Sequence, residues 1–223
     1  EDPSVPVTFR TVQGQIDVDG GDGATKPRLT AEDEQELRRR YGRYAQQKAV
    51  RFLRTRHTDL EVLTELPDLT ALLLHGVQVE DPSALARIPT LRRLWVNGPR
   101  LGTSLDVLAD LTQVEEIELL NTRGPVALPS LERLTALRRL RFWGCRGLTD
   151  AAPLLTAPNL EEVELTDVGI PPDDLEPLVA RESIRHVSRF GSPRENARSD
   201  EILARYGKTA RPDHDPAAYE DAG

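Results

Sequence analysis

Leu66-Pro-Asp-Leu69-Thr-Ala-Leu72-Leu-Leu74 opens a phrase, apolar-x-x-apolar-x-x-apolar-x-apolar, that the chain then repeats. It returns at Ile88-Leu91-Leu94-Val96, Leu111-Val114-Ile117-Leu119, Leu134-Leu137-Leu140-Phe142 and Ala157-Leu160-Val163-Leu165. The steps from Leu69 to Leu91, Val114, Leu137, Leu160 and Ile184 are 22, 23, 23, 23 and 24 residues, and a further apolar position recurs at Leu85, Leu108, Leu131 and Leu154. Self-similarity at such a period marks a solenoid, in which each unit buries its apolar face only against its neighbours. The last two apolar letters lie two apart, the spacing of a strand that turns alternate residues to one side. Strands are therefore expected at 71–75, 93–97, 116–120, 139–143 and 162–166. Stepping back 22 residues adds a degenerate one at Ala49–Leu53, and a seventh is expected at Arg185–Ser188.

Each phrase resembles the leucine-rich repeat, in its bacterial-type form of about 23 residues. The resemblance covers about 47–190. It implies an α/β leucine-rich repeat solenoid, a short horseshoe with a parallel concave sheet. Cys145, three residues after Phe142, stands where that family places Asn or Cys to hydrogen-bond the turning backbone, and this implies a structural thiol. The other copies hold Val77, Pro99, Thr122 and Val168 there, a departure from the family's Asn ladder that implies less regular turns.

Outside the repeats the chain reads as end pieces. Residues 1–29 are expected to form an N-terminal arm or β-hairpin, with strand formers on either side of Gln13-Gly14. Asp17, Asp19 and Asp22 faintly resemble a calcium loop, but Arg28 stands where a bidentate Glu is needed, so a Gly-rich connector is the reading preferred and no metal is expected. Residues 30–46 read as a capping helix: Thr30 precedes Ala31-Glu32-Asp33-Glu34, and Leu37, Tyr41, Tyr44 and Ala45 follow at helical spacing. Turn and cap chemistry at Asp81-Pro82-Ser83, Thr103-Ser104, Pro129-Ser130, Asp150 and Pro171-Pro172-Asp173-Asp174 predicts one to three helical turns in each return segment. Residues 191–223 read as a break at Gly191-Ser192-Pro193, a short C-terminal helix from Ser199 to Tyr206, and a flexible tail.

Composition bounds the function. The 223 residues, 38% of them apolar, suffice for one solenoid with modest ends. The formal net charge of −8 argues against nucleic acid as partner. No apolar run approaches the ~20 residues of a membrane-spanning helix. The single cysteine excludes an intrachain disulfide and favours a reducing, cytoplasmic location. A start without Met, at Glu1-Asp2-Pro3-Ser4, suggests a trimmed chain, and the Arg-, Ala- and Pro-rich usage suggests a bacterial gene.

The informative letters are those between the apolar ones. In each strand the flanking residues point out of the concave face and form three columns. The first is Ala49, Ala71, Arg93, Glu116, Arg139, Glu162 and His186. The second is Arg51, Leu73, Trp95, Glu118, Arg141, Glu164 and Ser188, and the third is Leu53, His75, Asn97, Leu120, Trp143, Thr166 and Phe190. Both tryptophans, Trp95 and Trp143, stand in these columns, about 10 Å apart if strands are ~4.8 Å apart. Leu73, Leu120 and Phe190 add apolar area to the same face. Arg93, Glu116, Arg139 and Glu162 alternate in sign, as do Glu118, Arg141 and Glu164, which predicts a cross-strand charge ladder.

Exposed aromatics with Arg nearby are the composition of a binding hot spot. The expected partner-binding residues are Trp95, Trp143, Arg93, Arg139, Arg141, Leu73, Leu120 and Phe190. Four histidines without ligand spacing and the lack of catalytic or phosphate-binding motifs give no support for an enzyme or a cofactor. Around Cys145, Gly144, Gly147 and Leu148 supply no general base. The resulting expectation is a non-enzymatic module that binds a protein partner, an immunity or inhibitor protein or an adaptor, present as a monomer or in a heteromeric complex. The acidic total leans toward a basic partner. The alternative is a regulatory or sensory part of an enzyme system whose catalytic portion lies outside this chain.

Overall fold

The computed structural model describes residues 6–12, 14–22, 26–43, 48–98, 100–101 and 104–208. The expectations that touch Gln13, Tyr44, Ala45, Pro99, Thr103 and the tail beyond 208 lie outside these residues. In chain order the elements are β1 Thr8–Val12, β2 Gln15–Asp19, α1 Ala31–Arg43, β3 Ala49–Leu53, β4 Arg56–His57, β5 Ala71–His75, β6 Gln78–Val79, β7 Arg93–Asn97 and β8 Arg100–Leu101. They continue with β9 Glu116–Leu120, β10 Arg139–Trp143, α2 Ala152–Thr156, β11 Glu162–Thr166, α3 Glu176–Val179, β12 His186–Phe190 and α4 Pro193–Arg205.

One sheet of nine strands, in the order β1-β2-β3-β5-β7-β9-β10-β11-β12, runs the length of the molecule. All its pairings are parallel except that of β1 with β2. A small parallel sheet, β4-β6-β8, follows the strand ends of the early repeats. The apolar letters of the phrase form the core: Leu72, Leu74, Leu94, Val96, Ile117, Leu119, Leu140, Phe142, Val163 and Leu165 are all buried. Each such side chain contributes about 1.5–3 kcal/mol when removed from water.

The hairpin expected near the N-terminus joins the solenoid. β2 lies parallel to β3 in register Ile16↔Val50 and Val18↔Phe52, so the two inward columns begin two strands before the first repeat phrase, which ends on β5. Beside it, α1 starts where Thr30 and Asp33 cap one another, Asp33 N–H donating to Thr30 Oγ1 at 3.2 Å and Thr30 N–H to Asp33 Oδ2 at 2.8 Å. Its Leu37 and Tyr41 are buried in the core.

The return segments form the short helical turns expected, mostly in 3-10 form, except at 125–135. Glu61–Glu65, Ser83–Arg87, Asp106–Asp110 and Pro172–Leu175 are 3-10 helices, the last running on into α3, and α2 is a short α-helix. A 3-10 turn rises ~2.0 Å per residue against ~1.5 Å for an α-helix, so a short unit can return to its next strand with fewer residues. The residues before each segment do supply turn chemistry: Asp59, Asp81 and Asp150 accept from the backbone two residues on at 3.0, 2.9 and 2.8 Å. Residues 125–135 form no helix. Pro125 and Pro129 lack donors, and the backbone bonds sideways instead, Val126 N–H to Gly147 O and Leu131 N–H to Thr156 Oγ1.

The C-terminal helix begins six residues before Ser199. Ser192 is its N-cap, Pro193 its first residue, and Ser192 and Glu195 form a reciprocal capping box. The cause lies in β12, which ends at Phe190 rather than Ser188 and so turns Arg189 inward, opposite Leu165. The Arg189 side chain is 2% exposed and donates to Ile170 O at 2.9 Å and to Glu195 Oε1 at 2.8 Å. α4 therefore neutralises the one charge in the inward column while Ile202 and Leu203 cover the last repeat.

Candidate functional site

The face of the sheet turned away from the return segments carries the three outward columns in the expected register. β2 extends them by Gln15, Asp17 and Asp19. In the second column Arg51 grips Asp17 through Nη2–Oδ2 at 2.7 Å and Nε–Oδ1 at 3.1 Å, with only 2% of the Asp17 side chain exposed. Asp19 is held by Arg54 Nη2 at 2.8 Å. Asp22, the third carboxylate of the faint calcium pattern, lies 3.4 Å from the same Arg54 nitrogen, so all three sit in ion pairs.

Three strands further on, the alternating charges close into the predicted ladder. Arg139 donates to Glu116 Oε2 at 3.1 Å, and Arg141 to Glu116 Oε1 at 2.8 Å. Arg141 also lies 3.6 Å from Glu118 and 3.2 Å from Glu164, with its side chain 13% exposed. Burial pushes the Glu118 carboxyl above the usual range, opposed by Arg141 and reinforced by Glu116. Of the three arginines expected to meet a partner, Arg141 is thus the keystone of the ladder, Arg139 is a half-buried member of it, and Arg93 stands exposed beyond its end.

The tryptophans divide in the same way. Trp95 is half-buried: its ring lies 5.9 Å from that of His75, and it stands opposite Glu118 on the neighbouring strand. Burial, then Arg54 and Arg51, lower the His75 pKa, which keeps that ring neutral beside the indole. Trp143 is 41% exposed, between Leu120 on β9 and Thr166 on β11. The register puts the two rings two strands apart and two residues apart along the strand, a separation of about 12 Å. Leu73, Leu120 and Phe190 are each half-buried on this face, Leu73 beside Trp95 and Phe190 beside Thr166.

At the turns after β3, β5, β7, β9, β10 and β11 the backbone enters the left-handed region, at Arg54, Gly76, Gly98, Asn121, Gly144 and Asp167, with φ from 52° to 65°. The recurring Gly76, Gly98 and Gly144 were the sequence signal for this row. In the same turn Cys145 is buried, its Sγ 3.3 Å from Leu119 O and 3.5 Å from Thr122 Oγ1, a backbone-bonded thiol away from the open face. Among the described residues no helix is long and apolar enough to cross a membrane.

Stacked parallel strands of period 22 to 24, an apolar core drawn from the repeated letters and a helix at each end define a leucine-rich repeat solenoid. Among solved structures, an internalin (inlF) of Listeria monocytogenes matches 83% of this chain and 51% of its own, at 20% identity and a TM-score of 0.57. Internalin C2 (inlC2) of the same bacterium matches 79% of this chain and 80% of its own, at 23% identity and a TM-score of 0.49. The chain thus spans about half the length of the inlF structure, and the likeness is one of fold. No protein-family model and no curated protein matches.

Proposed function

We propose that the chain is a non-enzymatic recognition module that binds a protein partner on its concave face, as an inhibitor or immunity protein or as an adaptor. The observation that carries this reading is Trp143, 41% exposed on a sheet face beside Leu120, while the other large apolar side chains among the described residues are buried or half-buried, Tyr206 excepted. A large aromatic in that position has no core role and is the residue type that anchors interfaces. Around it the ion pairs are already formed, so a partner meets a face that needs little reordering.

Affinity capture with the wild type and with Trp143→Ala tests the reading. A specific partner should be retained by the wild type and lost from the variant, with the folded signal unchanged. Equal retention by both places the docking surface elsewhere.

A further inference from the structure

The ion pairs of the concave face leave out Arg93. Across β5 its neighbour is Ala71, and across β9 it is Glu116. Both oxygens of Glu116 are taken, Oε2 by Arg139 at 3.1 Å and Oε1 by Arg141 at 2.8 Å. Arg93 is exposed and makes no side-chain hydrogen bond or ion pair among the described residues. Trp95 follows two residues later on the same side of β7, with Leu73 beside it on β5. Among the described residues, a guanidinium without a counterion thus stands next to a half-buried apolar pair.

We propose that Arg93 anchors an Asp or Glu side chain of a polypeptide partner, whose neighbouring apolar residue covers Leu73 and Trp95. The planar fork of a guanidinium matches a carboxylate through two parallel hydrogen bonds, a geometry an amide or hydroxyl cannot reproduce. Glu116 is held from the other side by two arginines, so the partner's carboxylate displaces no internal one. The net charge of −8 repels strongly acidic proteins, which makes this acid a single group on an otherwise neutral or basic surface. The assignment rests on the concave face being the docking surface, and the test separates the two claims.

A phage-displayed library of random linear peptides is panned on the intact protein, and the enriched peptides are synthesised and titrated by calorimetry. The expected result is an enriched Asp or Glu beside an apolar residue. Changing that acid to its amide, or Arg93→Gln, should each weaken binding about tenfold or more, and both together no further. Arg93→Glu should then prefer the peptide with Lys in place of the acid. Enriched peptides that lack an acid, or losses that simply add, overturn the Arg93 assignment while leaving the docking face intact. Peptides whose affinity survives both Arg93→Gln and Trp143→Ala, or no enrichment at all, overturn both. Far-UV circular dichroism of each variant keeps misfolding from passing as lost binding.

Discussion

Arg141 on β10 donates to Glu116 on β9 at 2.8 Å while lying 3.2 Å from Glu164 on β11, so one side chain ties three strands together. Removing it leaves Glu116, Glu118 and Glu164 facing one another in a half-buried site. Arg141→Met should cost about 3 kcal/mol at neutral pH in urea unfolding. The deficit should shrink on acidification, because Glu118, whose carboxyl burial already raises, then takes up a proton and no longer adds its charge to the site. An unchanged midpoint would show that the ladder is decoration.

Glu195→Ala removes half of the capping box on α4 and the counterion of the buried Arg189. The expected loss is about 3 kcal/mol, with fraying confined to α4 by hydrogen exchange. The hydroxyl and amide of Ser192, then Arg189, hold the Glu195 pKa down at about 2. Its contribution is therefore complete above the unfolded-state value near 4.5 and fades as pH falls toward 2.

His57 is buried, with its ring 4.4 Å from that of Phe52 and Nε2 2.8 Å from Thr55 Oγ1. Burial, weakly opposed by Asp59, lowers its pKa from 6.5 to about 4. Between those values the unfolded chain binds a proton that the folded one refuses, so stability falls as pH drops from about 6.5 to 4, by about 3 kcal/mol from this group. His57→Gln, which keeps a polar partner for Thr55, should flatten that part of the stability profile. A wild-type profile that the substitution leaves unchanged would contradict the assignment.

The two tryptophans should separate in stability measurements. Trp143→Ala removes a side chain that is 41% exposed and should change stability by about 0.5 kcal/mol or less. Trp95→Ala removes a half-buried side chain together with its contact with His75, and should cost about 1–2 kcal/mol. Equal costs would mean that Trp143 packs more tightly than its exposure indicates.

The strands and the columns were legible because one period set both: the phrase placed β5, β7, β9, β10 and β11 at their observed limits. The ladder followed from register alone, since parallel strands of equal phase bring Glu116, Arg139 and Glu162 abreast. Three things did not follow. Ser192-Pro193-Arg194-Glu195 carries the capping-box spacing, but a Gly-Ser-Pro run also reads as a break, and the contact that decides it is with Arg189 in another element. The 3-10 form of the return segments depends on the distance to be covered, which local propensity does not encode. The split between Arg93 and Arg141 depends on which guanidinium reaches Glu116, a matter of side-chain geometry that the alternating signs leave open.

The most direct test of the concave face is site-specific photo-crosslinking in native lysate, with benzoylphenylalanine placed singly at Leu120, Trp143 and Phe190 and, as controls, at Glu132 and Arg87 on the return segments. The same protein adduct from the three sheet positions, with none from the controls, is the predicted result. An adduct formed only from the return-segment positions would show that the partner binds the other side.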